Sequence, residues 1–200
     1  MRLFYSPASP YARKCRAVAM EKGLHDGIEI VSAPPLENPP ALHAVNPLGK
    51  VPALVLADGR CIIDSPVICA YLDSLNDSPR LIPASGPERF DALTREAIAD
   101  GIQDAALSIV FERRRPEAER SSDWQARWAA AIHRAVAHSA AHVSQRAQPD
   151  LGDIAIACAL AYLDLRLPEL AWDSKAQALR VWLTTMEKRP SLAATAPPTA

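Results

Sequence analysis

The sequence predicts an α/β layer followed by an all-α bundle. Three observations predict it. Short β-branched or aromatic runs alternate with helical stretches over the first 75 residues. Strand signals stop beyond a proline-rich stretch at 76–87. From residue 88 the chain is Ala-rich, with apolar residues at helical spacing. The predicted order over 1–75 is β-α-β-α-β-β-α, a layer small enough to close by itself. The division is then 1–75, a linker at 76–87, and an all-helical domain over 88–200.

Arg2-Leu3-Phe4-Tyr5 reads as the first strand. Ser9-Pro10 starts the first helix: Ser is a preferred N-cap, and Pro is tolerated at the first helical position. Residues 11–22 continue it with no Gly or Pro. Ile28-Glu29-Ile30-Val31 is the second strand, and a loop with Pro34, Pro35, Pro39 and Pro40 leads to a short helix at 41–45. After the turn cluster at 46–50, residues 51–56 form the third strand, with Pro52 at its start. Asp58-Gly59 is a hairpin signal, and Cys61-Ile62-Ile63 is the paired strand. Asp64-Ser65-Pro66 repeats the earlier syntax, with Ser65 as N-cap of a helix at 67–75.

Four helices follow. Residues 89–114 carry an apolar stripe that Pro116 ends. Ser121-Ser122-Asp123 caps a helix from Trp124 to about Arg146. Asp150 and Asp153 form a near capping box ahead of 154–166, which is apolar nearly all round and so belongs at the bundle centre. Asp173 or Ser174 caps the fourth, which runs to Lys188, and 193–200 reads as a frayed tail.

Composition excludes some functions. With 22 Lys+Arg against 23 Asp+Glu the net charge is −1, which argues against a general binder of nucleic acid or anionic membrane. The one basic cluster, Arg113-Arg114-Arg115, lies between Glu112 and Glu117 and reads as a solvated helix end. There is no apolar leader and no run of the ~18 apolar residues a membrane span needs. Cys15, Cys61, Cys69 and Cys158 form no C-x-x-C pair and no zinc pattern; they read as small hydrophobes in a reduced, cytoplasmic setting. His25, His43, His133, His138 and His142 show no triad or metal spacing and are expected at the surface.

The candidate chemistry sits at Ser9. A hydroxyl at a helix head meets free N–H groups and the positive end of the helix dipole, a place for an anion; the alternative is a plain capping Ser. Four segments carry a family resemblance: Ser6-Pro7-x-Ser9-Pro10-Tyr11-x-Arg13-Lys14, 46–54, Asp64-Ser65-Pro66-x-Ile68, and the Asp150-x-x-Asp153 helix start. On these the chain resembles the cytosolic glutathione S-transferases, nearest the bacterial serine-type members. The resemblance implies a thioredoxin-like N-terminal domain, a helical C-terminal domain, a homodimer, a role in detoxification and no metal. Where many members place Ser or Thr at the start of the helix over 154–166, this chain has Asp150, an equally good cap.

The resemblance also implies site roles. Val51 pairs its backbone with the cysteinyl part of glutathione ahead of a cis Pro52, Asp64 takes the γ-glutamyl ammonium, and Ser65 takes the γ-glutamyl carboxylate. Lys50 either holds the glycyl carboxylate or sits in water. Ser9 donates its hydroxyl to the thiolate, with Tyr5 and Ser6 as rivals. Magnitudes support a hydroxyl alone. Lowering a thiol pKa from ~8.5 to ~6.5 takes ~2.7 kcal/mol. A hydrogen bond to a charged group gives ~1.5–3 kcal/mol and a helix N-terminus ~0.3–1 kcal/mol. No His/Asp relay is needed. Cys15, two turns into the helix, is too far along to be an active thiol.

The pocket for a small hydrophobic electrophile is expected between the domains, at Pro7, Ala8, Tyr11, Ile109, Phe111 and Arg113. Arg113 either steers an anionic substrate or belongs to a solvated end. Asp100 or Asp104 would reach the partner subunit's glutathione. The expected activity is glutathione transfer. The alternatives are isomerisation, dehalogenation or peroxide reduction at the same site, or a non-catalytic interaction protein.

Overall fold

The structure is a computed structural model and describes residues 1–143 and 148–198. The N-terminal part runs β1 (Arg2–Tyr5), α1 (Pro10–Glu21), β2 (Glu29–Ser32), α2 (Pro40–Val45), β3 (Ala53–Val55), β4 (Cys61–Ile62) and α3 (Ser65–Ser74). The four strands make one mixed sheet in the order β2-β1-β3-β4, with β1 and β2 parallel and the other pairs antiparallel. Alternation along β1 puts Leu3 and Phe4 on opposite faces, and both are buried because helices or loops cover both faces. Beyond the sheet come α4 (Pro87–Glu112), α5 (Ser122–His142), α6 (Leu151–Arg166), α7 (Gln177–Met186) and α8 (Pro190–Ala194). This is the predicted class: a small α/β layer and then helices alone.

The helix α6 is the centre of the bundle, as its unbroken apolar sequence predicts; residues 151–163 are all buried. Its head is closed by a full capping box between Asp150 and Asp153. The Arg95 guanidinium of α4 then pairs both carboxylates, with Nη1 2.6 Å from Asp153. Beside them Gly152 lets α4 approach closely: an added Cβ would lie 2.7 Å from the Ala92 carbonyl oxygen.

Polar groups tie the two parts together. Fully buried Lys14 of α1 places Nζ 2.9 Å from Glu96 and 2.8 Å from both Asp100 oxygens, all on α4. The predicted linker has no helix or strand over 76–86, but it is held. Asp73 accepts the Leu81 and Ile82 N–H groups and pairs with Lys22, while Leu81 C=O accepts the Leu151 N–H.

Several expectations are corrected. The cap of α3 is Asp64, not Ser65, so Pro66 stands at the second helical position. Strand β2 starts at Glu29, and β3 covers only 53–55 of the predicted 51–56. The α5 helix ends at His142, and the predicted continuation to Arg146 lies outside the described residues. The α7 helix starts at Gln177 after a 3-10 turn, because Asp173 is engaged by Arg180 instead of capping. The predicted tail is partly ordered. Pro190 opens α8, Leu192 and Thr195 are buried, and Arg189 and Ser191 both bond Glu21 of α1. Cys15, Cys69 and Cys158 are buried, Cys61 is half-buried and all four are free, while the five histidines are exposed. Among the described residues no helix is long and apolar enough to cross a membrane.

Candidate active site

A cleft of about 380 Å³ opens between the α/β layer and the α4 and α6 helices. Its floor is the loop after β1 and the head of α1. One wall is 46–52 with the start of α3, and the other is α4 and α6.

Ser9 caps α1 with extended φ/ψ of −76° and 117°. Its Oγ accepts the Ala12 N–H at 3.2 Å, which uses one lone pair. Its hydroxyl proton has no acceptor among the described residues, and the residue lines the cleft. A donor hydroxyl therefore stands at the positive end of a 12-residue helix. Of its rivals, Ser6 lines the cleft and Tyr5 does not; the Arg16 guanidinium stacks 5.1 Å from the Tyr5 ring centroid.

Val51, Pro52, Lys50, Asp64 and Ser65 all reach the cleft. The Val51–Pro52 peptide is cis. Val51 lies just before β3, and neither of its backbone groups has a backbone partner among the described residues. Asn46 Nδ2 donates to the Lys50 carbonyl at 2.7 Å and Asn46 Oδ1 accepts the Leu48 N–H, which fixes the approach to Val51. Ser65 is buried at the first position of α3, where helical N–H groups lack intrahelical partners. Asp64 is exposed, and its charge helps push the Glu96 and Asp100 carboxyls upward, after the larger effect of their own burial. The wall thus offers, in sequence, an unpaired backbone edge, a carboxylate and a helix head. That set suits an extended peptide carrying both charges.

The other wall differs from the sequence expectation. Tyr11 lines the cleft, and its hydroxyl donates to Asp104 at 2.5 Å. Burial first, and then Asp104, push the Tyr11 phenol far above its ordinary range, so it stays a neutral donor. Asp100 is engaged by Lys14 inside the chain. Ile109 and Arg113 do not line the cleft: Ile109 is in the core, and Arg113 pairs with Glu169. At 100° per residue they lie about 160° round the helix from Phe111, which does line it. Pro7 faces a separate small cavity with Arg13 and Cys158, and burial pushes the Cys158 thiol up to about 11. Leu107, Val110, Arg114, Tyr162 and Arg166, absent from the expected pocket, complete the wall. The signal for Leu107 and Arg114 was present: 104, 107, 111 and 114 form one helical stripe through Phe111.

Among the described residues no three His, Cys, Asp or Glu side chains gather as a metal site needs. What the cleft can do is hold an extended, doubly charged peptide and stabilise an anion beside Ser9.

Comparison with known proteins bears on this directly. Residues 8–75 match the model for the glutathione S-transferase N-terminal domain, and 122–185 match that for the C-terminal domain. The uncharacterized GST-like protein YibF of Escherichia coli (strain K12) is 34% identical, over all of both chains. A glutathione transferase family member from Pseudomonas fluorescens Pf-5, solved with bound glutathione, has 36% identity and a TM-score of 0.94, over 99% of each chain. A structure of a family member from the same organism with bound S-(propanoic acid)-glutathione has 37% identity and a TM-score of 0.91, over 100% of each. With both domain models matched and relatives of 34% and 36% identity aligned along nearly the whole chain, the chain belongs to the glutathione S-transferase family.

Proposed function

We propose that this protein is a glutathione transferase that holds the glutathione thiolate at Ser9 for attack on small hydrophobic electrophiles. The observation that carries the proposal is the unclaimed Ser9 hydroxyl proton at the head of α1, facing the cleft. Ser9 donates to the sulfur and the α1 dipole adds to the field, so the thiol loses its proton to solvent without a protein base. Val51 pairs with the cysteinyl backbone, and Pro52 sets the turn into β3. Asp64 takes the γ-glutamyl ammonium, Ser65 the γ-glutamyl carboxylate, and Lys50 the glycyl carboxylate. The glutathione carried by the Pseudomonas relative supports this assignment of ligand.

In conjugation the sulfur forms a bond to the electrophilic carbon, and the leaving group departs with its electron pair. The electrophile lies against Tyr11, Leu107 and Phe111. We further propose the division at 76–87, a cytoplasmic homodimer and a detoxifying role. The same proposal includes a reach of Asp100 or Asp104 to a partner subunit's glutathione; within one chain Lys14 holds Asp100 and the Tyr11 hydroxyl holds Asp104.

The test is conjugation of an aromatic halide by the native protein, by Ser9→Ala and by Tyr5→Phe, with glutathione affinity measured for each. Ser9→Ala is expected to lose most of kcat while retaining glutathione, and Tyr5→Phe to resemble the native protein. Full activity in Ser9→Ala with loss in Tyr5→Phe would reverse the assignment. A protein with no affinity for glutathione would refute the proposal.

A further inference from the structure

Three consecutive arginines directly follow the last residue of α4, and their fates differ. Arg113 pairs with Glu169. Arg115 pairs with Glu119 at 3.4 Å. Arg114 has no carboxylate partner among the described residues; it lines the cleft, with its guanidinium 5.6 Å from the Phe111 ring centroid. Arg166, the last residue of α6, also lines the cleft without a carboxylate partner among the described residues, and its charge, like that of Arg114, opposes the burial that pushes the Tyr162 phenol up. Two arginines, one just past α4 and one at the end of α6, therefore line one cleft beside its apolar wall.

Charge is sorted along this wall. Asp104 stands at the α1 end, where Tyr11 holds it. Arg114 is ten residues further on, two residues past Glu112, which ends α4 about 12 Å along the helix from Asp104 at 1.5 Å per residue. Leu107, Val110 and Phe111 fill the interval. A molecule whose reacting carbon meets a sulfur at Ser9, and whose body lies on this apolar stretch, presents its far end to Arg114 and Arg166. The guanidinium fork matches a planar carboxylate in two parallel bonds.

We propose that Arg114 and Arg166 form an anion subsite, and that the electrophile this protein accepts is an apolar molecule bearing a carboxylate. The inference rests on reading the cleft as a glutathione site. The two carboxylates of glutathione itself are assigned elsewhere, to Ser65 and Lys50.

The test compares binding of S-benzylglutathione and S-(4-carboxybenzyl)glutathione, which differ by one carboxylate, with glutathione as reference. Calorimetry would be run on the native protein, on Arg114→Gln, on Arg166→Gln and on the double variant. The native protein is expected to bind the carboxylate form about tenfold more tightly than the benzyl form. That ratio falls to about threefold in each single variant and to about one in the double, and it shrinks as salt rises. Equal affinity of the native protein for both conjugates, with glutathione still bound, would overturn this inference alone. A preference that survives in the double variant would overturn the assignment to these arginines. Failure to bind glutathione or either conjugate would overturn the proposed function, and this inference with it.

Discussion

Ser9 and Asp150 do the same local job at the heads of α1 and α6, yet their surroundings give them opposite roles. Both hold extended φ/ψ, and both accept an N–H from the third residue on. At α6 the cap is sealed: Asp153 answers it reciprocally, Arg95 pairs both carboxylates, and Asp150 is 4% exposed. At α1 the cap carries a proton with no acceptor among the described residues, and it faces a cleft. A helix head becomes a site when the tertiary structure leaves part of its polar capacity unmatched; otherwise it is a structural joint. Asp64 and Ser65 at α3 belong with Ser9, since both line the cleft.

The sharpest way to break this contrast is to remove each cap. Asp150→Ala deletes one partner of a buried charge cluster and the cap with it, so it is expected to cost ~3–5 kcal/mol in urea unfolding at neutral pH. Ser9→Ala deletes a single cap hydrogen bond, at a cost of ~1 kcal/mol of stability. Its conjugation rate is expected to fall ~10²-fold, the scale of losing one donor to a developing or held anion. If the two variants were equally unstable and Ser9→Ala equally active, the distinction between joint and site would fail. Gly152→Ala sharpens the structural half. Its Cβ would sit 2.7 Å from both the Ala92 carbonyl oxygen and Arg95 Cβ, so α4 and α6 must separate. We expect a loss of ~1–3 kcal/mol, read in the same unfolding experiment, with glutathione affinity little altered.

Local syntax made the helix heads legible in the sequence. Ser9-Pro10, Asp150-x-x-Asp153 and the apolar run after it each have a mechanism that acts within one turn, and the structure agrees with all three. The cleft residues on α1 and at 50–65 were legible for the same reason, since they sit at turns and caps. The α4 wall was harder to place. A helix 26 residues long offers every face to some neighbour, and choosing Ile109 and Arg113 over Leu107 and Arg114 requires knowing where α6 packs. The Ser65 cap shifted by one residue because Pro fits either of the first two helical positions. The 193–200 stretch was short, Ala- and Pro-rich and without a stripe. That Ala193 and Ala194 continue α8 and Thr195 is buried follows from the docking of α8, whose Arg189 and Ser191 bond Glu21 of α1, a long-range contact that no local pattern encodes.

That contact gives the smallest of the expected effects. Glu21 near the end of α1 receives Arg189 Nε at 3.1 Å, Arg189 Nη2 at 2.9 Å and the Ser191 hydroxyl at 2.5 Å. Burial alone would raise its carboxyl; the bonds from Arg189 and Ser191 outweigh that and hold it below its ordinary value of 4.5. A depressed folded pKa means that the unfolded chain takes up the proton first as pH falls. The stabilisation from this carboxylate is therefore complete above about pH 4.5 and is lost as pH drops through the folded value. The Glu21→Gln variant removes the titration. Its thermal midpoint is expected to lie below the native one at neutral pH by an amount corresponding to less than ~1 kcal/mol, given that the pair is part-exposed. The gap between the two curves should close as the solution is acidified. A gap that stayed constant from neutral pH down to pH ~3 would mean that α8 is held by burial of Leu192 and not by the Glu21 carboxylate.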